Sequence, residues 1–132
     1  TVFDETYCKA CVEYTTLAWR EKDTLQRTRI RELNDRFRTT GRGNGSIVVT
    51  EGVQAKGLPF VRQALDAVRT FNAFTKDNDP WGEHDFGAFE IEGETLFWKI
   101  DMYDLSLTMG SPNPANEAVT ARVLTIMMAH EY

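Results

Sequence analysis

Hydrophobic positions along the chain change period several times, and each period predicts an element. Residues 23–39 carry Ile30, Leu33 and Phe37 at i, i+3 and i+7, the spacing of one helical face. Asp23 or Thr24 offers a short side-chain oxygen to cap the first turn, and Thr39-Thr40-Gly41 ends the helix with a glycine terminator. Arg27, Arg31 and Arg38 flank the apolar stripe on one side, Arg29 and Arg36 on the other. Gly41-Arg42-Gly43-Asn44-Gly45 reads as a flexible turn, and the β-branched run Ile47-Val48-Val49-Thr50 as a strand. Residues 52–57 form a connection. A second helix follows over residues 58–71, with Pro59 in the first turn, where its missing N–H costs nothing. Val61, Leu65 and Val68 are its apolar stripe; Arg62, Asp66 and Arg69 line a polar side.

Residues 77–82 are rich in turn formers and predict a loop. Strict alternation then predicts a hairpin of residues 86–91 and 94–102, turning at Glu92-Gly93. In that register Phe89 faces Leu96 and Gly87 faces Trp98. Leu96, Trp98, Ile100 and Met102 share one face, while Phe97, Lys99, Asp101 and Tyr103 point to the other. Leu105, Leu107 and Met109 also alternate, which predicts a third strand. After the break at residues 110–114, Val119, Val123, Ile126 and Met127 repeat at i, i+4, i+7 and i+8, which predicts a helix over residues 116–130. The fold class expected is α+β: an antiparallel sheet of about three to four strands with about three packed helices. Residues 1–22, with Val12, Leu17 and Trp19, form an N-terminal arm or short helix, and residues 23–132 a single globular domain.

The length of 132 residues supports one core. No apolar run approaches the ~18 residues of a membrane span, and the acidic start lacks the order of a signal peptide; no membrane role and a cytoplasmic location are expected. The net charge of −5 is uneven. Acids dominate from Asp77 to Asp104, opposed only by Lys99, whereas residues 20–42 are rich in arginine. A one-sign stretch steers association with a partner of opposite sign, or is neutralised within the fold.

Several motifs invite chemistry and then fall short. Cys8 and Cys11 are half of a tetrahedral zinc site, but only His84 and His130 remain to complete it, without ligand spacing. A thioredoxin-type role needs a preceding strand, and none is predicted. Asp77-Asn78-Asp79-Pro80-Trp81-Gly82 opens like a calcium loop, yet position five is Trp81 and position twelve is Ala88. His84, between Glu83 and Asp85, is the one candidate catalytic base, but neighbours on an extended chain point to opposite faces. Gly43-Asn44-Gly45 lacks the lysine and the position of a phosphate loop. Arg27, Arg31, Arg38 and Arg42 are a candidate nucleic-acid surface, which the overall acidity disfavours. No cofactor is implied. Phe97, Tyr103 and Trp81 are aromatics in an acidic stretch, the composition of a protein-binding anchor or of a second small core.

The strings Arg31-Glu32-Leu33-Asn34-Asp35-Arg36-Phe37-Arg38, Asp79-Pro80-Trp81-Gly82-Glu83-His84-Asp85-Phe86-Gly87, Phe97-Trp98-Lys99-Ile100-Asp101, Gly110-Ser111-Pro112 and Arg122-Val123-Leu124-Thr125-Ile126-Met127 resemble landmarks of a bacterial domain family of unknown function, often carried on plasmids and other mobile elements. The resemblance runs from about Leu25 to the C-terminus and excludes both cysteines. It implies genomic company rather than chemistry: small acidic proteins of this kind often inhibit restriction enzymes or CRISPR effectors. The expectation is a non-enzymatic acidic protein binding the basic surface of a nucleic-acid-binding defence factor, with Asp77, Asp79, Trp81, Glu83, Asp85, Glu90, Glu92 and Glu94 as its contact residues. The alternative is a small enzyme or metal- or ligand-binding domain centred on His84.

Overall fold

The longest helix begins well before the residues able to cap it. The computed structural model describes residues 5–132, with side chains from Glu21 onward, and helix α1 spans Glu5–Thr40. Asp23 and Thr24 therefore sit inside the helix, and Asp23 pairs one turn on with Arg27 at 2.8 Å. The side chains of residues 1–20, including the Cys8 and Cys11 thiols, lie outside the described residues. Residues 21–26 are exposed, and burial begins with the expected stripe of Ile30, Leu33 and Phe37. Gly41 ends the helix at φ +74°, its N–H donating to the Phe37 carbonyl at 2.8 Å.

Strand β1 (Gly45–Val49) follows, then the short helix α2 (Glu51–Gln54) in place of a plain connection, and α3 (Leu58–Thr70). The buried stripe of α3 is Phe60, Ala64 and Val68, with Val61 and Leu65 at its margin, so the helix is rotated from the predicted face. Bulky Phe60 takes the deep position, and Ala64 allows close approach. The hairpin of β2 (Phe86–Ile91) and β3 (Glu94–Tyr103) matches the predicted register, with Phe89 opposite Leu96 and Gly87 opposite Trp98. Glu92 and Gly93 turn it at φ +53° and +79°, the pair of positive values a two-residue turn of this hand requires.

Two predicted elements are replaced. The C-terminal helix is instead a 3₁₀ turn (Glu117–Val119), strand β4 (Ala121–Met128) and a second 3₁₀ turn (Ala129–Glu131). β4 lies inside the sheet, between β1 and β3, and a central strand reads as a near-continuous apolar run. Such a run satisfies helical spacing by accident; here Arg122, Leu124, Ile126 and Met128 face the helices with a period of two. Likewise, Leu105, Leu107 and Met109 form no strand. Gly110 bridges back to Tyr103, and Ser111 N–H donates to the Met102 carbonyl at 2.9 Å, so residues 104–109 close a loop with no strand beside it.

The sheet order is β1-β4-β3-β2. β2, β3 and β4 are antiparallel neighbours, but β1 runs parallel to β4, so the sheet is mixed rather than wholly antiparallel. The parallel pair requires a long crossover, which α2, α3 and the hairpin provide. The fold is α+β, with the core between one sheet face and the helices: Phe37, Val53, Phe60, Ala64 and Val68 pack on Ile91, Leu96, Trp98, Ile100, Leu124, Ile126 and Met128. The described side chains of the three helices in this core pack on one and the same sheet face.

Gly87 marks the tightest part of this core. A Cβ there would overlap the Trp98 indole nitrogen and lie 2.8 Å from Phe71 Cζ. Gly87→Ala is expected to cost about 1–3 kcal/mol through overpacking, read as a lower urea midpoint with an unchanged m-value.

Candidate functional site

The acidic loop of residues 71–85 does not stand free; it is bonded along α1. Asn34 is fully buried, accepts from Arg122 Nε at 2.6 Å, and donates Nδ2 to the Glu83 carbonyl at 2.9 Å. Arg31 reaches the Gly82 carbonyl at 3.5 Å, and the Arg27 guanidinium lies 4.6 Å over the Trp81 ring. One helix face at i, i+4 and i+7 thus holds successive loop residues 81, 82 and 83.

His84 is the centre of the next layer. Its backbone is left-handed at φ +54°, and its N–H donates to Asp79 Oδ1 at 3.3 Å. The imidazole stacks flat on Phe74, with centroids 3.6 Å apart and planes 3° apart. Nδ1 contacts both Asp35 oxygens at 2.9 and 3.0 Å, and Nε2 lies 3.6 Å from Asp79 Oδ2. Both ring nitrogens therefore face carboxylates of the protein itself. Arg38 completes the layer: it pairs with Asp35 at 3.0 Å, and donates to the carbonyls of Val68 at 2.7 Å and Phe71 at 2.9 Å. Its guanidinium lies 5.4 Å from the Phe74 centroid and 5.1 Å from that of Trp98.

The candidate residues separate accordingly. The Asp79 side chain is 6% exposed and belongs to the His84 layer. Glu83 and Asp85 are half-buried, and burial pushes both carboxyls above their ordinary range, with neighbouring acids adding to the effect. Glu94 pairs with Lys56 at 2.5 Å, and Glu92 accepts from Gln63 at 3.5 Å. Asp77, Trp81 and Glu90 remain exposed. Of the four arginines, Arg27, Arg31 and Arg38 turn toward the loop, and Arg42 is exposed. Among the described residues no group of three His, Cys, Asp or Glu side chains is arranged to hold a metal ion. Sequence reasoning treated loop and helix separately and missed Asn34 and Arg122, which join them. The available signal was a polar residue beside the apolar stripe of α1 and an arginine opening a core strand.

The second locus is the uncovered sheet face. Phe86, Phe97 and Tyr132 form an edge-to-face cluster there, with Tyr132 centroids 6.2 Å from Phe86 and 5.6 Å from Phe97. Beside it, a groove of about 490 Å³ runs over Val123, Thr125 and Met127 between Lys99, Asp101 and Tyr103. Lys99 is neutralised by Asp101 at 3.0 Å, which raises the lysine pKa through their hydrogen bond. Glu90 on β2 and Glu131 at the groove wall add negative charge. The Glu131 carboxyl is held low by donors from Met128 N–H, Thr50 Oγ1 and Gly52 N–H.

Two outcomes are expected at the first locus. Asn34→Ala leaves Arg122 Nε and the Glu83 carbonyl without these partners, while Arg122 Nη2 keeps its bond to the Pro114 carbonyl at 2.8 Å, a loss of about 3 kcal/mol of stability in chemical denaturation. Asp85→Asn acts in the other direction. A carboxyl whose folded pKa is raised binds its proton more tightly in the native state, so its ionisation costs stability as pH rises from about 4 through the folded value. The variant should melt higher than wild type near pH ~7, and the difference should vanish by about pH 3.

Comparison with curated proteins and with solved structures finds no match. A family model does match, over residues 49–131, which covers the hairpin, the acidic loop and β4 but not α1. The chain belongs to the family described as protein of unknown function DUF3768.

Proposed function

We propose that this domain is a non-enzymatic binding protein whose contact surface is the uncovered sheet face. Its partner is a protein presenting a basic, partly apolar surface. The observation that carries the reading is that face itself: Phe86, Phe97, Tyr103 and Tyr132 lie on the sheet surface opposite the described helical core, among Glu90, Asp101 and Glu131. Aromatic side chains on a rigid sheet supply binding area at low entropic cost, and an acidic rim selects a basic partner. Most of these residues fall in the acidic stretch from Asp77 to Asp104, now narrowed to the half of it that faces outward. The loop of residues 104–109 extends the surface beyond the end of β3. Asp104 accepts from Thr108 N–H and Ser106 Oγ at 3.0 Å each, and these donors hold its carboxyl low. The loop so fixed presents Leu105, Leu107 and Met109, each more than half exposed.

The mobile-element company implied by the motifs directs the partner toward a nucleic-acid-binding defence factor, a restriction nuclease or a CRISPR effector. The mechanism is occupation of a phosphate-binding surface by carboxylates and aromatics. His84 supports the enzymatic alternative less well, because its ring nitrogens face Asp35 and Asp79.

Tagged wild type, Asp101→Lys and Trp81→Ala, compared in pull-downs from bacterial lysate at low and high salt, test the reading. Wild type should retain a stoichiometric basic protein that salt releases. Asp101→Lys should weaken the capture by roughly tenfold or more, and Trp81→Ala, on the helix side, should not. No partner at either salt, or capture lost with Trp81→Ala and kept by Asp101→Lys, would contradict it.

A further inference from the structure

We propose that the exposed edge of β1 pairs with β1 of a second copy, antiparallel about a two-fold axis through Ile47, so that two four-stranded sheets join into one. The edge strand has the sequence Gly45-Ser46-Ile47-Val48-Val49, without charge or proline, and Ile47 and Val48 are 44% and 43% exposed on its two faces. Edge strands of soluble proteins are ordinarily blunted by a charge, a proline, a bulge or a covering element. β2, the other edge, conforms: exposed Glu90 and Glu92 would meet their own kind in a self-pair.

The backbone shows which groups are free. In a parallel ladder, alternate residues turn both amide groups to the partner strand. The Asn44 carbonyl accepts from Arg122 N–H at 2.9 Å, and Thr50 N–H donates to the Ile126 carbonyl at 3.1 Å. The even-numbered positions 46 and 48 therefore bond to β4, and Gly45, Ile47 and Val49 turn their amides outward. The Val49 carbonyl confirms the phase, since it accepts from Gln54 Nε2 at 2.6 Å, away from the sheet. Centring the axis on Ile47 lets each Ile47 N–H donate to the other Ile47 carbonyl, and each Val49 N–H to the Gly45 carbonyl of the second copy. That gives four hydrogen bonds without displacing Gln54. Ile47 meets Ile47 on one face, and Val48 meets Ser46 on the other.

Charge favours a second copy over an arbitrary strand, and antiparallel over parallel. Arg42 precedes β1 and Glu51 follows it; both are exposed, and neither side chain makes an ion pair within the described chain. Antiparallel pairing brings Arg42 of each copy alongside Glu51 of the other, twice over. Parallel pairing would set like against like.

Sedimentation velocity of the full chain from about 1 to about 200 µM tests the proposal, with a weak dimer expected because two five-residue strands bury little area. Ile47→Pro removes only an outward-facing N–H, so it should abolish the dimer and leave the circular dichroism spectrum unchanged. Arg42→Glu and Glu51→Arg should each weaken association roughly tenfold, and the two together should restore it, which no role within one chain would produce. A chain monomeric across the range overturns the proposal. So does a dimer that survives Ile47→Pro, or one indifferent to both charge reversals. If Ile47→Pro fails to fold, the charge exchange alone decides.

Discussion

A guanidinium taken out of water must find acceptors, and Arg38 sets most of the helix layer by that requirement. It is 6% exposed and projects from α1 against the C-terminal end of α3, where the last carbonyls lack a following turn and the Val68 carbonyl has only the long 3.4 Å bond from Phe71 N–H. There it satisfies Val68 and Phe71, binds Asp35, and covers the rings of Phe74 and Trp98. Through one side chain, two helices, the acidic loop and the sheet acquire a common reference point. The fit is incomplete, as Arg38 Nε and the Trp98 indole N–H are buried without partners. A buried pair of this kind contributes little net stability, whereas removing one partner leaves a buried charge uncompensated.

The clamp changes how the motifs are understood. Two of the most distinctive strings in the chain, the arginine-rich segment of α1 and the loop ending in Glu83, His84 and Asp85, are bound to each other. Asn34 and Arg122 close the same junction from the first position of the β1–β4 ladder, where Gly45 registers with Arg122. Polar residues in loops usually raise a hypothesis of chemistry. Here their polarity is consumed in holding a loop rich in turn formers against a helix. The surface proposed for recognition lies across the sheet, where alternate side chains of the same strands emerge. Phe97 stands beside Trp98 in sequence and on the opposite face.

Much of the fold was legible because local signals agreed with the tertiary result. The hairpin declared itself by strict alternation and a glycine turn, α1 by its stripe and Gly41, and β1 by its branched residues. The losses have physical causes. β4 carries apolar side chains on both faces, Val123 and Met127 outward and Leu124, Ile126 and Met128 inward, so its alternation was erased and an accidental helical period was left. Leu105, Leu107 and Met109 alternate with no strand to pair with, a condition no short window of sequence contains. The parallel pairing of β1 with β4 spans more than seventy residues and is equally non-local. At the site, Phe97 and Tyr103 were placed on the outward face by period alone, and Trp81 remains exposed as its loop position implied. Asn34, Asp35 and Arg122 passed unnoticed because their roles depend on partners 49 to 88 residues away.

The central claim is that the loop of residues 71–85 is a fixed part of the domain and the uncovered sheet face is the surface free to bind. Native-state amide hydrogen exchange tests it most directly. Gly82 N–H is bonded to the Asp79 carbonyl at 3.1 Å and His84 N–H to Asp79 Oδ1, so both should exchange only when the whole domain unfolds, with the same protection as Ile100 in β3. Gly82 and His84 exchanging through local opening, while Ile100 stays protected, would show a loop free of its clamp and contradict the account.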